Sequence, residues 1–169
     1  MGAVSSAVPG AVKRLTTRSA RATWQMGWRL GAVLRPGDVV ALIGDLGAGK
    51  TQFVRGACSG AGVAEADVSS PSFAIVQTYR GRLPIHHADL YRLADLDELY
   101  ATGFMDLPGG DGALLVEWAD KVEGWAPDQR LELRLEEVEG RPSARRISIT
   151  AMGPRHAELV DALSPRRLR

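Results

Sequence analysis

The stretch Val39-Val40-Ala41-Leu42-Ile43-Gly44-Asp45-Leu46-Gly47-Ala48-Gly49-Lys50-Thr51 decides the fold of this chain. Its first five residues are aliphatic with no polar alternation, the pattern of a strand buried on both faces of a parallel sheet. Gly44 to Thr51 then fits G-x-x-x-x-G-K-[ST], the Walker A pattern, and Gln52 to Ser59 reads as the helix that must follow it. Glycines let the backbone wrap closely enough to aim several N–H groups at phosphate oxygens, and the helix N-terminus adds its positive dipole end. A nucleoside triphosphate is therefore expected on Asp45, Leu46, Gly47, Ala48, Gly49, Lys50, Thr51 and Gln52. Lys50 would reach the β and γ phosphates and the Thr51 hydroxyl would take Mg²⁺.

Working outward, Trp24, Met26, Leu30, Val33 and Leu34 recur at helical spacing, so the spacing predicts an amphipathic helix over 19–34 that stops at Pro36-Gly37. Downstream, Phe73 to Tyr79 and Leu83 to Ala88 form a predicted hairpin that ends at Asp89. A helix is expected around Asp95 to Ala101, then a buried strand from Ala113 to Val116 ending at Glu117-Trp118. A final antiparallel pair turns near Glu139-Gly140, and a short helix spans Arg155 to Leu163. The sum is an α/β, P-loop NTPase-like three-layer fold: a mixed central sheet with helices on both faces. Residues 16–163 make one domain between a disordered tail, 1–15, and a basic tail, 164–169.

The chain has 169 residues, 45% hydrophobic and 24% charged, with 21 Lys plus Arg against 20 Asp plus Glu. That composition suits one globular domain and excludes a disordered or fibrous chain. A formal charge of +1 gives no global attraction to nucleic acid, so no DNA partner is expected. The longest aliphatic run, Val39 to Ile43, is far too short to span a bilayer, and no membrane association is expected. The single cysteine, Cys58, rules out an intramolecular disulfide and fits a reducing, cytoplasmic setting.

Acidic residues at the carboxyl ends of the strands are the candidates to face the phosphate loop. Glu117 and Asp89 both qualify, as magnesium ligands or as groups that orient and deprotonate water. His86 and His87 precede Asp89, but side chains alternate along a strand, so only His87 shares a face with Asp89, and a transition-metal centre is not expected. Trp118 is either core or a wall of the site. Arg80, Arg82 and Arg92 are either phosphate contacts or solvated charge. The chain contains no asparagine. An Asn-Lys-x-Asp guanine reader is thus impossible, and ATP is the expected nucleotide.

Taken together, these blocks resemble the bacterial TsaE (YjeE) family, the P-loop ATPases of tRNA N6-threonylcarbamoyladenosine biosynthesis. The matching blocks are Thr23 to Leu34 before Pro36-Gly37-Asp38, Gly44 to Thr51 with Phe53 and Arg55-Gly56, Ser70-Pro71-Ser72-Phe73, His87-Ala88-Asp89-Leu90-Tyr91-Arg92, and Leu115-Val116-Glu117-Trp118. The resemblance implies an ATPase, weak alone, that drives or resets the TsaB-TsaD complex during threonylcarbamoylation of adenosine beside the tRNA anticodon, touching tRNA indirectly through that complex. It implies Thr51 and Glu117 on Mg²⁺, Asp89 essential for activity, and Thr23 near the base. Ser70 to Phe73 would form a switch-like loop, and Arg141 would reach the nucleotide. A small-molecule kinase, or a partner-binding switch with little turnover, is the alternative.

Overall fold

The computed structural model describes residues 12–69 and 75–165. Seven strands form one sheet in the order β1-β7-β6-β2-β5-β4-β3. They are β1 Val12–Thr17, β2 Val39–Ile43, β3 Val76–Arg80, β4 Pro84–Asp89, β5 Ala113–Glu117, β6 Arg130–Val138 and β7 Arg141–Met152. The central four, β6, β2, β5 and β4, run parallel, and β3, β7 and β1 add on antiparallel, so the sheet is mixed. The four helices among the described residues are α1 Ala20–Gly31, α2 Lys50–Gly60, α3 Leu96–Ala101 and α4 Pro154–Leu163.

Period-two alternation splits the core. Val40, Leu42 and Leu115 pack with α1, α2 and α4 on one face. Val39, Ala41 and Val116 pack on the other with Leu99 of α3, Phe104 and Trp125. Three helices thus cover the first face, while the second has one two-turn helix and the loop through Trp125. Cys58 lies in the first core, where burial pushes its thiol up to about 12 and leaves it inert.

Helices α1 and α2 meet through glycines. A Cβ on Gly27 or Gly31 would fall 2.1 or 1.9 Å from the carbonyl oxygens of Phe53 and Ala57. One on Gly56 or Gly60 would fall 1.9 or 2.0 Å from those of Trp24 and Trp28. Two Gly-x-x-x-Gly faces interlock with their backbones in contact. Of the expected apolar stripe of α1, Met26, Leu30 and Leu34 are buried and Trp24 half-buried, but Val33 is exposed, and Thr23, Gly27 and Gly31 complete the buried face instead. Ser19 caps the helix by accepting from Ala22 N–H, and Arg82 donates to the Gly31 and Leu34 carbonyls at its far end. Arg82 is therefore a helix cap, with its guanidinium committed to α1.

The boundary of the N-terminal tail is also corrected. Residues 12–15, assigned to a disordered segment, begin strand β1, which pairs with β7 from Val12↔Thr150 to Thr17↔Arg145. Leu15 packs on the core and Lys13 donates to Ser164 at the end of α4, so Ser164 too belongs to the fold rather than to a tail. Residues 1–11 and 166–169, and the predicted loop Ser70 to Phe73, lie outside the described residues.

Helix α4 is pinned beneath β2 by two polar contacts. Arg155 grips Asp38 bidentately, Nε to Oδ1 at 2.9 Å and Nη2 to Oδ2 at 2.7 Å, with Asp38 2% exposed. His156, buried beside them, accepts the Val39 N–H on Nε2 at 3.2 Å. That bond requires the neutral ring, and burial lowers the His156 pKa from its usual 6.5, with Asp38 opposing and Arg155 adding to the effect. The unfolded chain takes up this proton first, so the stability from His156 is present above about pH 6.5 and lost as pH falls through the lower folded value. Melting temperatures from pH 8 to 5 should show a loss below pH 6.5 that is flattened in His156→Phe; equal slopes would refute the assignment.

Candidate nucleotide-binding site

Strand β2 delivers the chain into the loop Gly44 to Thr51, and α2 begins at Lys50 with Gly49 as its N-cap. Gly47 and Gly49 hold φ of +79° and +100°, left-handed values that L side chains resist, which is why glycine stands there. A Cβ on Gly44 would fall 2.6 Å from the Leu135 carbonyl oxygen of β6. The loop thus rests on the neighbouring strand.

Lys50 is only 5% exposed. Its Nζ donates to the carbonyls of Gly44 and of Asp45, the latter at 2.9 Å, and lies 4.1 Å from the centroid of the Trp118 ring. Burial lowers the Lys50 pKa, with Glu117, Asp89, Asp120 and Asp45 acting in the opposite direction. Trp118 adopts φ of +54° and packs against Tyr91 at 4.7 Å between centroids, the rings tilted by 48°. Of the two readings of Trp118 the structure therefore favours the wall: it caps the loop lysine.

Asp89 and Glu117 end adjacent parallel strands and are Cα partners, as Leu42 of β2 and Glu117 are. Alternation sends both carboxylates toward the face that carries α2, because Ile85 and Leu115, even numbers of residues earlier on the same strands, lie in that core. Glu117 is 2% exposed, and its Oε1 has no hydrogen-bond partner among the described residues. Asp89 accepts the Tyr91 N–H on Oδ1. Burial raises the Asp89 pKa and Glu117 raises it further, against the lowering effects of the Tyr91 hydrogen bond, His87 and Lys50.

His86 and His87 diverge as alternation requires. His86 meets Thr78 and Asp111, whereas His87 lies wholly buried with Nε2 3.7 Å from Glu117 Oε1. Among the described residues no group of three or more His, Cys, Asp or Glu is placed to hold a metal ion. Two carboxylates beside a phosphate loop still fit magnesium, which keeps several waters and shares its shell with phosphate oxygens. The buried Glu117 carboxylate is the group on this side of the site that such a cation would meet.

Thr23 of α1 is buried, with Oγ1 2.8 Å from that of Thr17. It lines a cleft of about 240 Å³ with Ala20, Gly49, Gln52, Pro142, Ser143 and Arg145. Leu46 projects at 88% exposure from the tip of the loop, flanked by exposed Asp45 and Gly47, while Ala48 is buried and Thr51 half-buried. Arg141 is exposed at the start of β7, in a groove with Arg18. The β7 arginine bonded to the phosphate loop is Arg145, whose Nε and Nη2 donate to the Ala48 and Gly47 carbonyls, each at 3.0 Å. Sequence reasoning missed it because its role depends on β7 returning beside a loop about a hundred residues earlier.

The family profile described as "Threonylcarbamoyl adenosine biosynthesis protein TsaE" matches residues 17–147. The chain belongs to the TsaE family. A TsaE protein of Bacillus subtilis is 40% identical over 134 residues, covering 79% of this chain and 82% of the relative. One from Treponema pallidum is 38% identical over 122 residues, 72% and 90% of the two chains. The crystal structure of Bacillus subtilis YdiB superposes with a TM-score of 0.70 at 34% identity, covering 91% of this chain and 96% of YdiB. The matched TsaE region contains the phosphate loop, both strand-end carboxylates and Arg145. Among the described residues no helix is long and apolar enough to cross a membrane.

Proposed function

We propose that this TsaE-family chain is a Mg²⁺-dependent ATPase with a P-loop NTPase-like three-layer fold, serving tRNA threonylcarbamoyladenosine modification with TsaB and TsaD in the cytoplasm. The observation that carries the reading is the register of Asp89 with Glu117 on the face that also presents Lys50. Loop N–H groups at the start of α2 would bind phosphate oxygens. Thr51 and Glu117 would hold Mg²⁺, and Asp89, made more basic by burial, would accept the proton of the attacking water. Mg²⁺ when bound supplies charge neutralisation across the β and γ phosphates. Thr23 and Gln52 line the cleft offered to the nucleoside, and the absence of asparagine favours adenine.

The position of Lys50 supports weak activity by the chain alone. Its ammonium is held by two loop carbonyls and Trp118, and must leave them to reach a phosphate. Contact with TsaB and TsaD would favour the released state, and tRNA is met through that complex.

The test is ATP affinity and Mg²⁺-dependent phosphate release, alone and with TsaB and TsaD, for the native chain and Lys50→Ala. The lysine is buried rather than an exposed loop residue, so its removal costs about 1–3 kcal/mol of stability as well as nucleotide affinity. Folding of the variant is therefore checked by circular dichroism. A folded variant with unchanged ATP affinity would end the phosphate-loop assignment. Phosphate transfer to a small-molecule acceptor, with no response to the partners, would favour a kinase.

A further inference from the structure

Behind the Glu117 carboxylate lies a buried imidazole that the reading above leaves without a task. His87 is 0% exposed, and neither Nδ1 nor Nε2 has a hydrogen-bond partner among the described residues. A buried polar ring in that state weakens a fold, and a side chain chosen for packing alone would be apolar. Glu117 Oε1 lies 3.7 Å from Nε2 and is itself unpartnered. The gap is just beyond hydrogen-bond range, and such bonds in unliganded sites commonly tighten when the reacting complex forms.

The ring is held from its other side. Tyr79 lies 6.3 Å from it between ring centroids, at 36°. The Tyr79 hydroxyl accepts the Ser69 N–H at 3.2 Å and lies within donating distance of the Ser69 carbonyl, 2.9 Å, and Gln77 Oε1, 2.6 Å. His87 thus sits between a fixed aromatic ring and the carboxylate at the end of β5.

We propose that His87 is a positioning residue whose Nε2–H closes onto Glu117 Oε1, fixing that carboxylate so that its second oxygen faces the phosphate loop. The proposal rests on the assignment of Glu117 to Mg²⁺-ATP hydrolysis. A hydrogen bond behind a ligating carboxylate sets its orientation, and removing such a partner typically costs 10- to 100-fold in metal affinity or activity.

The experiment has two arms. In the first, ¹⁵N spectra of histidine-labelled protein are recorded without nucleotide for the native chain and Glu117→Gln. The chain has three histidines, and His87→Gln identifies the resonances of this one. A changed His87 ring-nitrogen shift in Glu117→Gln is expected, because the carboxylate stands 3.7 Å from the ring nitrogen even before the bond closes; an unchanged one overturns the contact.

In the second arm, His87→Leu and His87→Gln are compared with the native chain for melting temperature, ATP affinity without Mg²⁺, and Mg²⁺-dependent turnover with TsaB and TsaD. The leucine variant should melt at or above the native temperature and keep its Mg²⁺-free ATP affinity, yet turn over about 10- to 100-fold more slowly. Glutamine, which places an N–H donor near the same point, should recover turnover to within about threefold. Native turnover in His87→Leu overturns the proposal. So do equal losses of turnover in both variants with lowered melting temperatures, which is the pattern of a packing role. If the native chain fails to hydrolyse ATP even with the partners, the ATPase assignment falls, and the nitrogen spectra still decide whether His87 and Glu117 are engaged.

Discussion

Gly31→Ala should lower the stability of this chain by about 3 kcal/mol, or roughly 10 °C in melting temperature, even though alanine is the better helix former by about 1 kcal/mol. The new Cβ would sit 1.9 Å from the Ala57 carbonyl oxygen. A backbone atom cannot rotate away as a side chain would, so α1 and α2 must separate along their length. Because α2 starts at Lys50 and Thr51, the same shift should weaken nucleotide binding. Gln25→Ala, at an exposed position of α1, is the control and should leave the melting temperature within about 1 °C. A Gly31→Ala chain that melts at or above the native temperature would show that propensity outweighs the contact and that the helices part freely.

Glu117→Gln should reduce Mg²⁺-dependent turnover by about 100-fold or more while leaving Mg²⁺-free ATP affinity within a few-fold of native. The amide keeps the shape of the side chain and removes its charge. Glu117 is 2% exposed, one oxygen lacks a partner, and its charge helps raise the Asp89 pKa. Neutralising it should therefore stabilise the unliganded fold by a measurable amount, as removal of buried functional charge commonly does. The signature is a higher melting temperature together with lost turnover. Full turnover in this variant would take Glu117 out of the chemistry.

What the sequence disclosed and what it withheld divide along a physical line. β2, the phosphate loop and the start of α2 are local: aliphatic run, glycines and lysine stand within thirteen consecutive residues. Asp89 and Glu117 were also legible, because each closes a run of strand-forming residues and alternation fixes its face. β1 was not. Val12 to Thr17 contains one apolar residue packed on the core, Leu15, and its strand state comes from pairing with β7, more than a hundred residues away. The glycine seam was not legible either, since a glycine that admits a neighbouring backbone looks the same in sequence as one that ends a helix. The i, i+4 spacing in both helices, Gly27 with Gly31 and Gly56 with Gly60, was the available signal. Arg145 and the burial of Lys50 had no local signal, because the partners of both are set by tertiary placement.

The sheet is open, and that has a consequence for how the molecule behaves among its own copies. Among the described residues β1 and β3 each pair on one side only, leaving a row of peptide groups able to recruit another strand. β1 carries Lys13 and Arg14, and β3 ends at Arg80. Joining two β1 edges antiparallel would bring these cations together, whereas two β3 edges joined the same way would set their arginines at opposite ends. Charge on β1 thus weighs against two copies joining at that edge, an effect separate from nucleotide chemistry. The arginines of this nearly neutral chain therefore fall into distinct employments: Arg82 and Arg145 hold backbone carbonyls, Arg155 anchors α4, and Arg14 charges the open β1 edge.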